Sequence, residues 1–251
     1  MTHADPVAQL THIWRHPIKS HGREALGRVT LSARATMPWD RRWAVAHEQA
    51  KTDGTEWAPC ANFSRGSKAP VLMAINASAN VSVGIVTLTH PNRPDLTFDP
   101  DTQADLLLDW VRPLMPEYRA ASARIVRVPR RGMTESDFPS VSNMNLATHH
   151  AVEQELGRPL DIRHWRGNLW LDGLAPWQEF EWLDRDITIG DVVLRPRERI
   201  ERCMATTANP DTGLRDADTQ GTLDTWGQRD FGLRAELVTC GTLRLGDGLR
   251  L

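Results

Sequence analysis

ITIGDVVLRP, residues 187–196, places Ile187 and Ile189 on one side of a Gly-Asp pair and Val192 and Leu194 on the other. Alternation of this kind marks half-buried strands, and the Gly-Asp pair marks a tight reversal between them. GTLRLGDGLRL, residues 241–251, repeats the arrangement around a second Gly-Asp. Two such hairpin corners predict a barrel-like sheet. They are the only sign of internal repetition.

Upstream the same signature recurs. LTHIWRHPIKS (10–20), GRVTLSA (27–33), RRWAVAHE (41–48), APVLMAINA (69–77) and VSVGIVTLTH (81–90) read as strands. An Ala-Ser-Ala-Asn turn is expected between the last two. HPNRPDLTFDPD (90–101) reads as a loop because of its prolines and aspartates. QADLLLDWV (103–111) predicts a helix capped by Asp101 or Thr102 and stopped by Pro113. RIVRVPRRG (124–132) is a strand entering a basic loop, and MTESDFPSVSNMN (133–145) a polar loop. LATHHAVEQELG (146–157) is a second helix with Gly157 as its stop, and GNLWLDG (167–173) returns to strand. The expected class is mostly β, with helices inserted in the middle.

The chain has 251 residues and a formal charge of -2, enough for one large or two small cores. That balance lacks the basic face of a dedicated nucleic-acid binder. Cys60, Cys203 and Cys240 are odd in number and form no C-x-x-C, so neither a disulfide framework nor a four-ligand zinc site is expected. MTHADPVAQL is no signal peptide, and no apolar run approaches a membrane span of ~18 residues. A soluble, cytoplasmic protein is expected. Ten tryptophans against one tyrosine indicate buried aromatic bulk.

ERCMATTANPDTG (201–213) carries the chemistry-bearing thiol. Arg199 and Arg202 near Cys203 would favour thiolate, the form that ligates a soft metal or attacks an electrophile. Thr206, Thr207 and Asn209 supply hydroxyl and amide groups beside a strong turn. Lys19 and Ser20 of HPIKS, Arg41 of WDRRWAV, and Arg166 and Asn168 of HWRGNLWL could converge on one anion, which suits the planar fork of arginine. By residue type alone, Cys203 also reads as an inert packed thiol, Lys19 as a surface lysine and Arg41 as a solvated arginine. Adjacent on a helix, His149 and His150 read as surface groups, and burial is expected for Cys60 and Cys240.

HPIKS, DRRWAV, WRGN, IGDVVLR and RCMATTANPDTG, in this order, resemble the MOSC family: molybdenum cofactor sulfurase C-terminal domains and relatives that include the mitochondrial amidoxime-reducing components. The resemblance spans residues 10–251. It implies a β-barrel MOSC fold over 124–251 preceded by an N-terminal β-barrel-like domain over 8–123. It also implies the molybdenum cofactor, a molybdopterin. Cys203 would be the catalytic residue and metal ligand, or in sulfurase-type members the sulfur carrier. Lys19, Ser20 and Arg41 match groups holding the pterin and its phosphate. Arg166, Asn168 and Ser142 match further cofactor contacts, and Arg202 and Thr206 beside the thiol complete the candidate set. The implied activity is an oxidoreductase acting on a small-molecule substrate, a molybdenum-dependent reduction of N-hydroxylated compounds; the alternative is a cofactor carrier or persulfide transfer protein. No ferredoxin-like or pyridoxal-phosphate desulfurase segment is read here, so a separate electron-donor protein, or sulfur donor, is the expected partner. Two departures stand out. Asn209 replaces the acidic residue of a common Val-Asp-Pro, and Ser140 stands where amidoxime-reducing relatives often carry an acid.

Overall fold

The computed structural model describes residues 5–251. Its strands and helices, in chain order, are β1 (Ala8–Arg15), β2 (Glu24–Leu26), β3 (Arg28–Leu31), β4 (Ala44–His47), β5 (Asn76–Asn80), β6 (Ile85–His90), β7 (Arg93–Phe98), α1 (Ala104–Val111), β8 (Ser122–Val126), β9 (Val141–Asn145), α2 (Leu146–Leu156), β10 (Leu169–Asp172), β11 (Ile187–Ile189), β12 (Val192–Glu201), α3 (Thr219–Asp224), β13 (Asp230–Leu237), β14 (Gly241–Arg244) and β15 (Gly248–Arg250).

Seven strands close a barrel in the order β10, β9, β13, β12, β11, β15, β1, with β1 pairing back onto β10. Closure removes the open edges that a free sheet would expose. Alternate side chains of these strands, among them Leu10, Ile13, Leu169, Leu171, Ile189, Leu194, Leu233 and Leu249, fill one apolar core. The first strand of the chain therefore completes a barrel otherwise built from residues beyond 140. β2 extends this sheet from β1, and HPIKS follows β1 directly. The sequence element that carries Lys19 is thus fixed at the barrel rim.

A second core lies under the antiparallel sheet β5-β6-β7 and α1, with Trp43, Val86, Leu88, Phe98, Leu107 and Trp110 inside. Four tryptophans (Trp43, Trp165, Trp170 and Trp182) are fully buried, in keeping with the expected aromatic bulk.

The mostly β class holds, while several local expectations do not. The Gly190-Asp191 corner is a true hairpin, with Ile187 opposite Leu194 and Ile189 opposite Val192. The Gly246-Asp247 corner is not a hairpin: β14 pairs with β3, whereas β15 joins the barrel. Asp247 accepts from the Arg244 amide at 2.8 Å and so turns the chain between two sheets. Residues 70–74 form a 3-10 helix opened by Pro70, where a strand was expected. The Asn-Ala-Ser-Ala-Asn segment is strand β5, and the turn falls at 81–84, where Gly84 holds φ 78. Tertiary pairing overrides the weak β propensity of these small residues. β7 runs through the expected loop, its Pro94 tolerated because β7 is an edge strand.

α1 begins after Gln103 without a side-chain cap. Asp101 instead accepts from Trp43 Nε1 at 2.7 Å, and Thr102 donates to Asp99 at 2.8 Å. α2 ends as expected, with Gly157 left-handed at φ 73. β9, β13 and the short α3 were not anticipated.

Candidate functional site

Three candidate residues share an unusual backbone. Ser20, Arg41 and Arg166 all lie in the left-handed region, at φ 63, 50 and 51. Non-glycine residues enter that region only when their surroundings enforce it, and such positions cluster at functional sites. Here the enforcement is visible. The Arg41 amide donates to His16 O at 2.6 Å, and the Lys19 amide to Trp43 O at 2.8 Å, so the segments 16–20 and 41–43 brace each other. Arg166 is the left-handed cap of the 3-10 helix Ile162–Trp165.

These braces surround one cleft of about 280 Å³. Lys19, Ser20, Arg41, Ser142, Arg166, Asn168, Arg202, Cys203 and Thr206 all line it. These nine candidates meet at one place, although the first and last are separated by most of the chain. The thiol of Cys203 is exposed and opens into this cleft.

The cations differ in what they have free. Lys19 is 1% exposed, not a surface lysine. Its Nζ donates to Met133 O at 2.7 Å and pairs with Glu135 at 2.7 Å. Burial pulls its ammonium below the usual range, and Glu135 opposes that. Arg41 Nη1 pairs with Asp40, and Arg41 Nη2 donates to Arg166 O at 3.1 Å. Asp40 is fully buried and also accepts from the His16 amide at 2.8 Å and from His16 Nδ1 at 3.2 Å. Arg202 lines the cleft with its guanidinium turned to carbonyls: Nη1 donates to Trp165 O at 2.8 Å and Nε to Phe231 O at 2.9 Å. The group lies 5.5 Å from the ring centres of Trp165 and Phe231.

Arg166 stands apart. Nη2 donates to Gly22 O at 3.2 Å, but Nη1 is buried without a partner among the described residues. Burial, with the charges of Arg41 and Arg23 nearby, lowers its affinity for its proton. A guanidinium still stays charged at neutral pH. An unpaired donor on a buried cation is costly, and an anion in the cleft would satisfy it.

Ser142 and Asn168 form a reciprocal pair on β9 and at the entry to β10. Ser142 Oγ donates to Asn168 Oδ1 at 2.8 Å and accepts from the Asn168 amide at 2.9 Å. Asn168 Nδ2 donates to Trp14 O at 3.0 Å, which ties this wall to β1.

Cys203 precedes the 3-10 helix Met204–Thr207. Thr206 holds the turn, its amide and its hydroxyl each donating to Cys203 O at 3.1 Å. Gln220 donates to Arg202 O at 2.8 Å from the other side. Asn209 serves the following turn, not the cleft: its Oδ1 accepts from the Asp211 and Thr212 amides at 2.8 and 3.0 Å. Gly213, at φ 72, lies so close to Val71 that a Cβ there would meet its Cα at 2.5 Å, which seats the turn on the N-terminal half. Arg199, expected beside the sulfur, stacks 4.2 Å from the ring centre of Phe180 instead.

Several lining residues escaped sequence reasoning: Cys60, Arg65, Glu135, His164 and Arg234. Cys60 is half-buried and accepts from Arg65 Nη1 at 2.9 Å, so the cleft holds a second thiol. None sits in a recognisable motif; Glu135 and His164 lay within stretches read as a loop and a strand entry. Cys240 is exposed, against expectation. His149 is buried, and accepts from Trp165 Nε1 at 3.0 Å behind the cleft. α2 packs that face inward, so neighbouring histidines part ways. Ser140, at the position of the expected acid, is buried against Ser136 at 2.6 Å.

Comparison with known proteins bears on this geometry. The MOSC N-terminal beta barrel domain matches residues 7–110, and the MOSC domain matches residues 133–250. The chain belongs to the MOSC family. Mitochondrial amidoxime-reducing component 1 of Mus musculus is 26% identical over 152 residues, covering 54% of this chain and 44% of that protein. The MOSC chain thus matches less than half the length of that relative. Among solved structures, YUAD protein from Bacillus subtilis aligns over 96% of this chain and 93% of its own, with 9% identity and a TM-score of 0.44. YiiM from Geobacillus stearothermophilus aligns over 43% and 52%, with 16% identity and a TM-score of 0.33. The MOSC match covers Ser142, Arg166, Asn168 and Cys203, and the N-terminal match covers Lys19, Ser20 and Arg41. The cleft lies where the two meet.

Proposed function

We propose that this MOSC protein binds the molybdenum cofactor in the cleft and, so loaded, reduces N-hydroxylated compounds. The observation that carries the reading is the unpaired Nη1 of buried Arg166 in the same cleft as the exposed Cys203 thiol. One demands an anion and the other suits a soft metal, and a phosphorylated pterin that carries molybdenum offers both. Similarity to the mouse amidoxime-reducing component supports the choice of substrate class.

Cys203 would give its thiolate to the metal. Among the described residues no group of three or more histidine, cysteine or acidic side chains is placed to hold a metal ion. The remaining donors would therefore come from the cofactor. Arg166 and Lys19 would neutralise the phosphate. Arg41, held by Asp40, would line the same wall, and the Ser142–Asn168 pair and Ser20 would offer polar atoms to the pterin. When bound, the cofactor would supply the two-electron chemistry that N–O reduction requires. A separate protein would donate those electrons.

The exposure of Cys203, and the lack of a hydrogen bond to its thiol among the described residues, favour one second reading: a sulfur carrier whose thiol accepts a persulfide. Molybdenum and pterin analysis of protein from a cofactor-proficient host tests the first reading. Near-stoichiometric loading is expected, together with reduction of a hydroxylamine by a strong artificial electron donor. Folded protein that stays free of metal and pterin would sink it.

A further inference from the structure

Lys19 is a buried ammonium with three acceptors, all from one short segment: Met133 O at 2.7 Å, Thr134 O at 3.5 Å and the Glu135 carboxylate at 2.7 Å. Two of the three are main-chain carbonyls of a segment that the rim holds in place. The Met133 amide donates to Arg41 O at 2.7 Å, and the Gly132 amide to Thr36 Oγ1 at 2.9 Å. A Cβ on Gly132 would meet Asp40 O at 2.1 Å, so the main chain there is pressed onto the rim of the cleft. Trp57 Nε1 donates to Thr134 O at 2.9 Å. Among the described residues Glu135 is the one carboxylate paired with Lys19, and its side chain is 41% exposed while that of Lys19 is 2%.

We propose that Glu135 is a placeholder counter-ion: it neutralises Lys19 until an anionic ligand enters the cleft, and the ligand takes its place. A buried ammonium left without a counter-charge is strongly destabilising. The fixed carbonyls solvate Lys19 but carry no charge. The unliganded cleft thus needs a carboxylate there, and the exposed, single-side-chain attachment of Glu135 lets it leave for solvent when a phosphate arrives. The exchange is one anion for another, so Lys19 is never unpaired. Arg41 and Arg166 lack this arrangement, and Arg234, which pairs with the half-exposed Glu198 at 2.6 Å, is itself more exposed than Lys19. Arg41 is paired with the fully buried Asp40, and Arg166 forms no ion pair among the described residues. Glu135 therefore sets how strongly the cleft competes for an anion, and its removal raises affinity at the expense of the unliganded fold.

This inference rests on the anion-binding reading of the cleft, and the test separates the two. Inorganic phosphate and pyrophosphate are titrated calorimetrically into cofactor-free wild type, Glu135→Gln, Glu135→Ala and Glu201→Gln. Glu201 also lines the cleft and is not the carboxylate paired with Lys19, so its substitution removes the same charge without freeing the lysine. Glu135→Gln and Glu135→Ala are expected to tighten binding roughly tenfold, the scale of one charge-assisted hydrogen bond, and to lower the thermal midpoint without ligand. Glu201→Gln is expected to change affinity less than about twofold, as a screened charge does. Equal gains in the Glu135 and Glu201 variants would overturn the placeholder role and leave a general charge effect. Wild-type binding that the Glu135 variants match or weaken would overturn it too, with the anion site intact. No binding by any of the four proteins overturns the placeholder and the anion site together.

Discussion

Arg41 Nη2 donates to the main-chain carbonyl of Arg166 at 3.1 Å, across 125 positions of sequence. The bond joins two left-handed residues from the two halves of the chain and assigns them different tasks. With Nη1 on Asp40 and Nη2 on Arg166, the Arg41 guanidinium is part of the frame. Arg166 accepts that support through its backbone, and its side chain keeps one nitrogen free.

Arg166→Met and Arg41→Met are expected to differ in kind. Arg166→Met removes an unpaired buried donor together with the 3.2 Å bond to Gly22 O, so the unliganded protein is expected to keep its stability within about 1 kcal/mol. Ligand retention falls ~10- to 150-fold, the equivalent of one charged hydrogen bond. Arg41→Met leaves Asp40 buried with its strongest partner gone, which costs about 3–5 kcal/mol. For a chain of this size that is a drop on the order of 10 °C. Calorimetric melting with molybdenum and pterin content, against the surface control Arg112→Ala, reads both effects. Full cofactor in Arg166→Met would refute the assignment.

Acid should destabilise the fold well above the carboxylate range. His16 and His21 are fully buried, and burial, with Arg166 nearby, holds them at about 3 and about 4. Both titrate below the ordinary value of 6.5, so the unfolded chain binds their protons first. Their contribution is complete above pH 6.5 and is lost progressively as pH falls below it, the loss ending near 4 for His21 and near 3 for His16. Asp40 adds a second phase at lower pH, because burial, which favours its neutral form, is outweighed by Arg41 and His16, which hold its carboxyl well below the usual range. Urea midpoints between pH 7 and 4 should fall with a slope of up to about two protons. A flat profile there would contradict neutral burial of the pair.

Asn209 carries no charge into the cleft, and its effect should be one of stability. Its Oδ1 accepts two amides, and Nδ2 donates to Asp216 at 2.8 Å. Asn209→Ala is expected to cost about 1–2 kcal/mol. Asn209→Asp keeps the acceptor, faces Asp216, and should lower stability while ligand affinity stays within about twofold. A large change in affinity for Asn209→Asp at unchanged stability would show that this position tunes the site.

Much of this site was legible because motif and turn chemistry are local. HPIKS, WDRR, WRGN and RCMATT each name residues that the fold delivers to one cleft. Lys19 exposed the limit of that reading. Its burial depends on Met133 and Glu135, more than a hundred residues away, and nothing in a lysine followed by a serine announces them. Cys60 and His164 were invisible for the same reason. The barrel was legible in ITIGDVVLRP, where turn and pairing coincide. The second Gly-Asp corner misled because an identical turn can join two sheets, and only the partner strands decide which.

Alkylation of Cys203 distinguishes a metal ligand from a sulfur carrier. Cys203 and Cys240 are exposed, whereas Cys60 is half-buried under Arg65. In cofactor-free protein two thiols should therefore label quickly and the third slowly, as peptide mass spectrometry would resolve. A thiolate bound to metal cannot attack a reagent, so cofactor-loaded protein should lose labelling at Cys203 alone, with Cys240 as the internal control. A carrier needs the opposite, because persulfide transfer proceeds by attack on or by that sulfur and requires it accessible. Cys203→Ser is expected to abolish function in either case and so cannot separate them. Fast labelling of Cys203 in loaded protein, with a persulfide detected at that residue and no hydroxylamine reduction, would replace the reductase by the carrier.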